Sequence, residues 1–300
     1  MKIEDLFSVR GKVALVTGGG GGLGLAHARE LGRRGARIAV NDVAVTESGQ
    51  PLSEVTAAQL RGDGIQAVAI GGDVGREDEA TSLVEQTIDA FGRIDILVNN
   101  AGIAGNATAQ ETSSELFADV LNVHLFGMFW TMRAALRPMR DQNYGRIVNT
   151  SSALGVFGAP GALPYVTAKA AIIGLTRGAS LDNRDVDVRI NALAPVAYTG
   201  GARSYFDTRP DLDVRYLDAA FAAHAVAYLS HRECPLHGET LAAGGGRVAR
   251  LFAAAVPGYC SQSLSIEEIA AHLDQVMSTE GFRILGSSIE QYSLLPQFAD

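Results

Sequence analysis

Residues 17–24 read Thr-Gly-Gly-Gly-Gly-Gly-Leu-Gly, and this glycine run is the strongest local signal in the chain. An apolar run at residues 12–17 leads into it, and an amphipathic stretch at residues 23–34 follows it. Glycine permits a tight turn and close approach of a ligand to the backbone, and a helix that starts there offers unpaired N–H groups to an anion. This order of strand, turn and helix predicts a phosphate-binding turn rather than a flexible loop. The residues expected to contact the ligand are Thr17, Gly18, Gly22, Leu23 and Gly24.

The second apolar run ends at Asp42, 18 residues after Gly24. An acidic residue about 20 positions beyond such a turn accepts hydrogen bonds from the ribose hydroxyls of a dinucleotide. A carboxylate there repels the additional phosphate of NADP, and no Arg or Lys directly follows it. We therefore predict NAD as the cofactor. A helix cap or a solvated turn residue is the alternative interpretation of Asp42.

Short apolar runs alternate with longer amphipathic stretches from residue 12 to residue 194. Candidate strands are residues 12–17, 37–42, 66–70, 94–99, 146–151 and 188–194, with a seventh at 239–243. Candidate helices are residues 23–34, 52–62, 76–91, 113–141, 163–183 and 214–230. Strands rich in Val, Ile and Leu are typical of parallel sheets covered on both faces. We predict an α/β fold of three layers, with a doubly wound parallel sheet of about seven strands and helices on both faces.

The sequence predicts one domain with a tail, because no internal repeat, low-complexity tract or Pro/Ser-rich linker divides it. We expect residues 1–246 to form a single NAD-binding catalytic domain and residues 247–300 a C-terminal extension that packs on it. Within this extension, residues 266–277 are predicted to form an amphipathic helix, with Ser263 and Ser265 as candidate caps. Residues 43–51 interrupt the step from the second strand to the next helix and predict a surface insertion near the adenosine of the cofactor.

Composition excludes several classes of protein. The net charge is −8 at pH 7, so no basic surface is expected for nucleic acid or for anionic lipid. The chain has no apolar run near the length of about 18 residues that a membrane span needs, and residues 1–10 lack the apolar core of a leader. We expect a cytoplasmic protein without membrane contact. The cysteines, Cys234 and Cys260, form no CxxC or Cys/His cluster, so we predict free thiols and no metal site.

Tyr165 and Lys169 lie four residues apart in the candidate helix 163–183, so their side chains share one face. A neighbouring ammonium group stabilises a phenolate and lowers the tyrosine pKa from its ordinary value of about 10, so Tyr165 can exchange a proton with a substrate oxygen. Ser152 follows the candidate strand 146–151, at the edge where ligands of parallel sheets bind, and its hydroxyl can hold the same oxygen. Taken singly, the Tyr–Lys pair is typical of a helix surface, and Ser152 is typical of a turn.

Five motifs occur together in an order found in one enzyme family. They are the glycine run at 17–24, Asp-Val at 73–74, Asn-Asn-Ala-Gly at 99–102, Asn-Thr-Ser-Ser at 149–152 and Tyr-Val-Thr-Ala-Lys at 165–169. On these motifs, residues 10–245 resemble the short-chain dehydrogenase/reductase family. The resemblance implies a Rossmann-type fold and an NAD-linked oxidoreductase that interconverts a secondary alcohol and a ketone.

The same resemblance implies roles for individual residues. Tyr165 is the acid and base, Ser152 positions the substrate oxygen, and Lys169 lowers the pKa of Tyr165 and holds the nicotinamide ribose. Both Tyr165 and Lys169 then touch the cofactor. The other cofactor contacts that it implies are Asp73, Val74, Asn100, Ala101, Gly102, Pro195 and Thr199.

The chain departs from the family pattern at two places. His124, three residues before Gly127, stands where the family has an active-site asparagine, and Asn122 lies about 200° away around a helix and cannot replace it. We hypothesise that His124 joins the catalytic set and that the proton path titrates near neutral pH, since imidazole has a pKa of about 6.5. A packed histidine with a fixed tautomer is the alternative. The family's Pro-Gly after the sixth strand is here Pro195-Val196.

His124, the insertion at 43–51 and the stretch 229–234 are similar to one subgroup of the family. This subgroup is the (3R)-hydroxyacyl-CoA dehydrogenase unit of peroxisomal multifunctional enzymes and its stand-alone bacterial relatives. The similarity implies a 3-hydroxyacyl-CoA substrate, including acyl-CoAs with a steroid side chain. Family habit further implies a homodimer or homotetramer built on residues 117–140 and 163–183.

Substrate specificity in the family resides in the segment after the sixth strand, here residues 197–216. Arg203, Arg209 and Arg215 in this segment are candidate contacts for a CoA phosphate, and a solvated surface is the alternative interpretation.

Two other functions share some of these features. An NADPH-dependent 3-oxoacyl reductase has the same catalytic residues, and Asp42 argues against it. A non-catalytic dinucleotide-binding protein needs no proton donor, so the set of Ser152, Tyr165 and Lys169 argues against that class.

Overall fold

One central sheet organises the structure. The computed structural model describes residues 7–200 and 202–296, without the side chains of Ser204 and Tyr205. Within that part of the chain, eight strands pair in the order β3-β2-β1-β4-β5-β6-β7-β8. They are β1 (Val13–Val16), β2 (Arg37–Asn41), β3 (Ala67–Ile70), β4 (Ile96–Asn99), β5 (Gly145–Thr150), β6 (Val188–Pro195), β7 (Thr240–Gly244) and β8 (Arg247–Leu251). The pairs from β3 through β7 are parallel, as predicted.

Helices connect these strands. They are α1 (Gly22–Arg33), α2 (Leu52–Gly62), α3 (Glu77–Phe91), α4 (Ser114–Leu121), α5 (Gly127–Asp141), α6 (Ala153–Phe157), α7 (Leu163–Asp182), α8 (Arg203–Phe206), α9 (Ala219–Leu229), α10 (Ile266–Ala271) and α11 (Leu273–Val276). A π-helical turn (Asn122–Phe126) joins α4 to α5, and 3-10 turns lie at Val214–Tyr216 and Ser288–Leu294.

Strand side chains alternate between two buried cores. Ala14 and Val16 of β1 belong to a core that also contains residues of α1, α2 and α9. Leu15, between them, belongs to a second core with residues of α3 and α5. Successive side chains of a strand point to opposite faces, so the sheet is covered on both sides. The predicted three-layer α/β fold is confirmed.

The winding of the sheet reverses between β1 and β4. β1 pairs with β2 on one side and with β4 on the other, so the connections on its two sides run in opposite directions. In such sheets the carboxyl ends of the strands beside this reversal leave a crevice, where ligands bind. The loops that follow β1 and β4 meet at this crevice.

β8 adds an eighth strand to the sheet, for which about seven were predicted. This strand lies at the edge of the sheet and is largely exposed, and the Arg250 guanidinium binds both carboxylate oxygens of Glu239 at 2.6 and 2.7 Å. An edge strand with charged side chains lacks the apolar run that identifies the other strands. The chain divides into two compact units, one ending at Arg250 and one beginning at Leu251. That the extension packs on the catalytic domain stays a prediction.

The predicted helix over residues 113–141 is interrupted. Ser113 caps α4 by accepting a hydrogen bond from the Leu116 N–H at 3.1 Å, but the π-helical turn then separates α4 from α5. A π turn needs one additional residue per turn, which the spacing of apolar residues does not reveal over so short a stretch. His124 lies in this turn.

Two other predicted helices are shorter than expected. The segment 214–230 becomes helical at Ala219, because the Asp218 carboxylate accepts a hydrogen bond from the Ala220 N–H at 2.8 Å and caps α9. In the segment 266–277, Ser265 caps α10 as predicted, but the helix ends at Ala271 and a second short helix follows.

Several predictions concern the surface and the chain ends. Cys234 is buried and Cys260 is exposed, and both are free thiols as predicted. None of the helices in residues 7–200 and 202–296 has the length and apolarity needed to cross a bilayer. Two predictions include residues that lie outside the described part of the chain. Residues 1–6 belong to the segment predicted to lack a leader, and Gly201 belongs to the predicted specificity segment.

His27, on α1, is expected to make the free energy of unfolding depend on pH. Its side chain is fully buried, and neither ring nitrogen has a hydrogen-bond partner among the described residues. Burial lowers the pKa of His27 from 6.5 to about 3. Between these two pH values the unfolded chain binds a proton that the folded chain does not, so the free energy of unfolding falls as the pH falls below 6.5.

The variant His27→Leu should therefore lose part of this acid sensitivity. From pH 7 to pH 5, we expect its free energy of unfolding to fall by about 2 kcal/mol less than that of the wild type. Urea unfolding at the two pH values measures this difference, and comparing each protein with itself removes the effect of the substitution on packing. Equal pH dependence in the two proteins would contradict the prediction.

Candidate active site

The glycine run forms a tight turn between β1 and α1. Gly18 and Gly22 have φ angles of +59° and +50°, in the left-handed region that favours glycine. A Cβ atom on Gly24 would lie 2.0 Å from the Gly18 carbonyl oxygen, and one on Gly18 would lie 2.8 Å from Ala101 Cα. These glycines are therefore required by the contacts of the turn itself.

Gly21 differs from its neighbours, because a Cβ atom there would meet nothing within 4 Å. It is the N-cap residue of the 12-residue helix α1 and has no side-chain cap. The first N–H groups of such a helix and its positive dipole end attract a phosphate group. This open, uncapped helix start fits the pyrophosphate of a dinucleotide.

Asp42 lies directly beside the glycine turn. Its Oδ2 atom accepts a hydrogen bond from the Gly20 N–H at 2.9 Å, and its Oδ1 atom accepts one from the Ala44 N–H at 2.9 Å. The second contact ties Asp42 to the predicted insertion, which an antiparallel bridge between Val45 and Pro51 closes into a compact loop. The structure thus brings the predicted ribose contact and the glycine turn together.

The loop after β4 packs against the glycine turn through Asn100. The Asn100 amide donates to the carbonyl oxygens of Thr17 and Gly18, both at 3.1 Å. The Thr17 hydroxyl in return accepts from the N–H groups of Asn100 and Ala101 at 3.0 and 3.2 Å. Predicted cofactor residues from two separate motifs are therefore hydrogen-bonded to each other.

The other predicted cofactor residues lie around this centre. Asp73 follows β3, and its carboxylate accepts from the Gly75 N–H at 2.8 Å. Thr199 lies close to the glycine turn, since a Cβ atom on Gly22 would approach its Cβ atom to 3.3 Å. The remaining positions are Leu23 in the first turn of α1, the buried Val74 beside Asp73 and Pro195 at the end of β6.

Ser152, Tyr165 and Lys169 are brought together at the end of β5. Ser152 caps α6, accepting from the Leu154 N–H at 3.1 Å, and its side chain lies near enough to Tyr165 to lower the pKa of the phenol. Lys169 Nζ lies 5.4 Å from the centre of the Tyr165 ring and donates to the Thr150 carbonyl oxygen at 2.7 Å. Sequence reasoning missed Thr150, because a backbone carbonyl has no residue signature.

Burial sets the protonation of this group. It lowers the pKa of Lys169 to about 7. It also raises the pKa of Tyr165, and the contact with Ser152 partly opposes this rise. The net shift is upward because loss of water around the phenol outweighs this contact. That Lys169 lowers the pKa of Tyr165 stays a prediction.

His124 contacts this group through its ring. The ring is buried and meets the Tyr165 ring edge-on, with a distance of 5.3 Å between the ring centres. Its Nε2 atom lies 3.1 Å from the Ile103 nitrogen and 2.8 Å from the Ile103 oxygen, so its tautomer decides which bond forms. A Cβ atom on Gly102 would lie 2.3 Å from His124 Cε1, so the loop after β4 needs glycine where it passes the ring.

The prediction that His124 titrates near neutral pH is wrong. Burial and then the charge of Lys169 lower its pKa to about 3, so the ring is neutral at physiological pH. Asn122 lies elsewhere, on an open cavity of about 450 Å³ whose lining includes Phe117, Phe126 and Leu163. This placement agrees with the expectation that Asn122 does not replace His124.

The three arginines of the predicted specificity segment have neighbours within that segment. Arg209 pairs with Asp211 at 2.7 Å, and Arg215 pairs with Asp213 at 2.6 Å. The Arg203 guanidinium lies 5.7 Å from the centre of the Tyr198 ring. A CoA phosphate would therefore compete with carboxylates for two of these side chains.

Comparisons with known proteins agree with this geometry. The family model for short chain dehydrogenases matches residues 12–208. The hydroxyacyl-CoA dehydrogenase ChsB1 of Mycobacterium tuberculosis is 35% identical over 237 residues, covering 76% of this chain and 74% of that protein. A crystal structure of a short chain dehydrogenase from Mycobacterium avium superposes with a TM-score of 0.79 at 31% identity, over 90% of this chain and 97% of that one.

A longer relative matches over part of its length. The peroxisomal multifunctional enzyme type 2 of Drosophila melanogaster is 36% identical over 245 residues, which cover 80% of this chain. The match covers 40% of the Drosophila protein, so this chain corresponds to less than half of it.

Proposed function

The chain belongs to the short-chain dehydrogenase/reductase family, and from that premise we propose that it is an NAD-dependent 3-hydroxyacyl-CoA dehydrogenase. The family resemblance predicted from five motifs is confirmed, and the chain is an oxidoreductase that acts on CH–OH groups with a nicotinamide dinucleotide. The observation that carries the proposal is that Ser152, Tyr165 and Lys169 lie together at the carboxyl ends of the strands, with Lys169 Nζ 5.4 Å from the centre of the Tyr165 ring.

The proposed chemistry divides between the cofactor and three side chains. The nicotinamide ring, when bound, would supply the hydride acceptor for the carbinol carbon. Tyr165, as the phenolate, accepts the proton of the substrate hydroxyl and becomes a neutral phenol, while Ser152 Oγ holds the same oxygen by a second hydrogen bond. The charge of Lys169 stabilises the tyrosinate, a contribution that the burial of both groups opposes. In the reverse direction, Tyr165 returns the proton to the substrate oxygen.

The remaining contacts support a proposal for which residues bind the cofactor. Gly18, Gly22, Gly24 and the start of α1 are proposed to hold the pyrophosphate, because the turn is tight and the helix start is open. Asp42 is proposed to bind the adenosine ribose. The other proposed contacts are Thr17, Leu23, Asp73, Val74, Asn100, Ala101, Gly102, Tyr165, Lys169, Pro195 and Thr199.

Asp42 supports NAD as the cofactor, since a fixed carboxylate repels the phosphate of NADP. In Asp42→Asn, which keeps the shape and one oxygen acceptor, we expect the ratio of kcat/KM for NAD to that for NADP to fall about 10- to 100-fold. Initial rates with each cofactor measure this ratio. A wild type that prefers NADP, or an unchanged ratio in the variant, would contradict the assignment.

The relative ChsB1 is named a hydroxyacyl-CoA dehydrogenase. That name and the motif resemblance both support a 3-hydroxyacyl-CoA substrate for this chain. The test is a panel of (3R)- and (3S)-hydroxyacyl-CoAs of increasing chain length, including steroid side-chain esters, with NADH formation followed by absorbance. The matching N-acetylcysteamine thioesters, which lack the CoA nucleotide, serve as controls. We expect turnover of one enantiomer, with a lower KM for the CoA ester. Turnover of simple secondary alcohols alone would reject the acyl-CoA proposal and keep the dehydrogenase.

Arg203, Arg209 and Arg215 are the proposed CoA contacts. Their replacement by alanine should raise KM for the CoA ester and leave KM for the short thioester unchanged. Equal losses on both substrates would reject phosphate recognition.

We further propose that the protein is cytoplasmic and forms a homodimer or homotetramer through α4, α5 and α7. Exposed apolar side chains support the assembly, among them Phe129 on α5, Leu163 on α7 and Phe126 in the π-helical turn between α4 and α5. Light scattering of the purified protein measures its mass, and a monomer would contradict the assembly.

A further inference from the structure

Four buried polar side chains form one continuous chain of hydrogen bonds below the candidate active site. The Thr131 hydroxyl lies 2.7 Å from Asn99 Oδ1 and can donate to it. The Asn99 amide donates to Asn149 Oδ1 at 3.0 Å, and the Asn149 amide donates to Thr176 Oγ1 at 3.1 Å. Each of the four residues is at most 1% exposed. We refer to Thr131, Asn99, Asn149 and Thr176 as the polar chain.

The polar chain joins four elements, each of which contains a candidate site residue or lies within three residues of one. Asn99 ends β4 and directly precedes the loop that contains Asn100. Asn149 lies in β5, three residues before Ser152. Thr176 lies in α7, seven residues after Lys169, which is about two helical turns. Thr131 lies in α5, the helix that continues from the π-helical turn of His124.

These bonds fix alignment in a way that apolar contacts do not. Apolar side chains keep much of their contact energy when a helix slides slightly over a sheet, whereas hydrogen bonds weaken steeply as their geometry changes. Both asparagines use the oxygen and the nitrogen of one amide toward different partners, so rotation of either amide breaks two bonds. A buried amide without partners is costly, which opposes such a rearrangement.

We propose that Thr131, Asn99, Asn149 and Thr176 are positioning residues, which hold Tyr165 and Lys169 in register with Ser152 and with the loop after β4. The inference rests on the proposed function, because it concerns the alignment of the proposed catalytic groups. None of the four is proposed to touch substrate or cofactor. Their effect on the reaction passes through the elements that carry the site residues.

Thr176→Val tests the proposal, since it removes one hydroxyl and preserves the shape of the side chain. It leaves the Asn149 amide without its partner on α7, so we expect kcat to fall about 10- to 100-fold while KM for NAD changes little. The contact of Ser152 with the Tyr165 side chain lowers the pKa of Tyr165. Its weakening should shift the pH profile of kcat/KM upward. Thr176→Ser, which keeps the hydroxyl, should restore both kcat and the profile.

Thr87→Val is the matched control. Thr87 is fully buried in α3, and its hydroxyl donates to the Leu83 carbonyl within the same helix at 2.7 Å. Thr131 Oγ1 likewise lies 2.8 Å from the Gly127 carbonyl oxygen of its own helix. Each variant therefore loses a contact within its own helix, and Thr131→Val in addition loses the bond to Asn99. We expect Thr131→Val to lower kcat and Thr87→Val to leave it near that of the wild type. Equal effects of the two variants, or no rescue by Thr176→Ser, would overturn the proposal.

Hydrogen exchange separates failure of this inference from failure of the proposed function, because it needs no substrate. In Thr176→Val, amide exchange measured by mass spectrometry should rise in residues 99–103 and 151–154 as well as in α7. Exchange that rises in α7 alone would overturn the inference even if the wild type is fully active. A wild type without turnover on any alcohol, with the coupled exchange present, would reject the proposed function and support the polar chain.

Discussion

Tyr165→Phe should lower kcat about 10²- to 10⁴-fold, the range typical of a lost general acid or base. The substitution removes the hydroxyl beside Ser152 and keeps the ring that meets His124 edge-on. Many other residues are proposed to hold the cofactor, so NADH binding, followed by its fluorescence, should fall far less than turnover. A loss of turnover with retained cofactor binding assigns the defect to proton transfer.

Tyr144→Phe provides the matched control. Tyr144 is a buried tyrosine, and its hydroxyl donates to the Ser230 carbonyl at 3.4 Å. Tyr144 directly precedes β5, whereas Ser152, which lies beside Tyr165, follows that strand. The two tyrosines therefore lie toward opposite ends of β5. We expect Tyr144→Phe to keep wild-type turnover. If Tyr165→Phe also keeps it, the hydroxyl of Tyr165 is not the proton donor and the proposed chemistry fails.

Gly24→Ala should destabilise the protein by about 1–3 kcal/mol or more, as overpacking does in a rigid region. The added methyl group would lie 2.0 Å from the Gly18 carbonyl oxygen and 2.8 Å from the Asn100 amide nitrogen. Neither group can move freely, because Asn100 is hydrogen-bonded to the same carbonyl at 3.1 Å. We expect a lower Tm and much weaker NAD binding, measured by thermal unfolding with and without cofactor.

Gly21→Ala is the comparison that separates folding from binding. The backbone of Gly21 is extended, with φ at −168°, and a Cβ atom there meets nothing within 4 Å, so the Tm without cofactor should not change. The methyl group would instead occupy space at the open helix start, so the increase in Tm on adding NAD should become smaller. An unchanged response to NAD would place the pyrophosphate elsewhere.

The parallel sheet could be predicted from sequence because each buried strand appears as a short apolar run. β8 was not predicted, because it lies at the edge of the sheet and carries Arg247 and Arg250 instead of a continuous apolar run. The π-helical turn escaped as well, because its five residues continue the apolar pattern of the helices on either side. Both elements were missed because the spacing of apolar residues along the chain does not determine them.

The candidate site could be predicted in outline and not in its electrostatics. The spacing of Tyr165 and Lys169 indicates a shared helix face, but it gives no measure of the water that folding removes from both groups. That removal lowers the pKa of Lys169 to about 7 and raises that of Tyr165. For His124, the same effect replaces the expected neutral-pH titration by a pKa of about 3.

By itself, the sequence determined the order of strands and helices, the tight turn at the glycine run and the pairing of Tyr165 with Lys169. These features depend on residues that are close together in the chain. Tertiary structure alone decided the approach of Ser152 to Tyr165, the polar chain and the burial of Arg146. The Arg146 guanidinium donates to carbonyls at residues 231 and 232. Such contacts join residues far apart in sequence, and the exclusion of water around them depends on how whole elements pack, which no local pattern encodes.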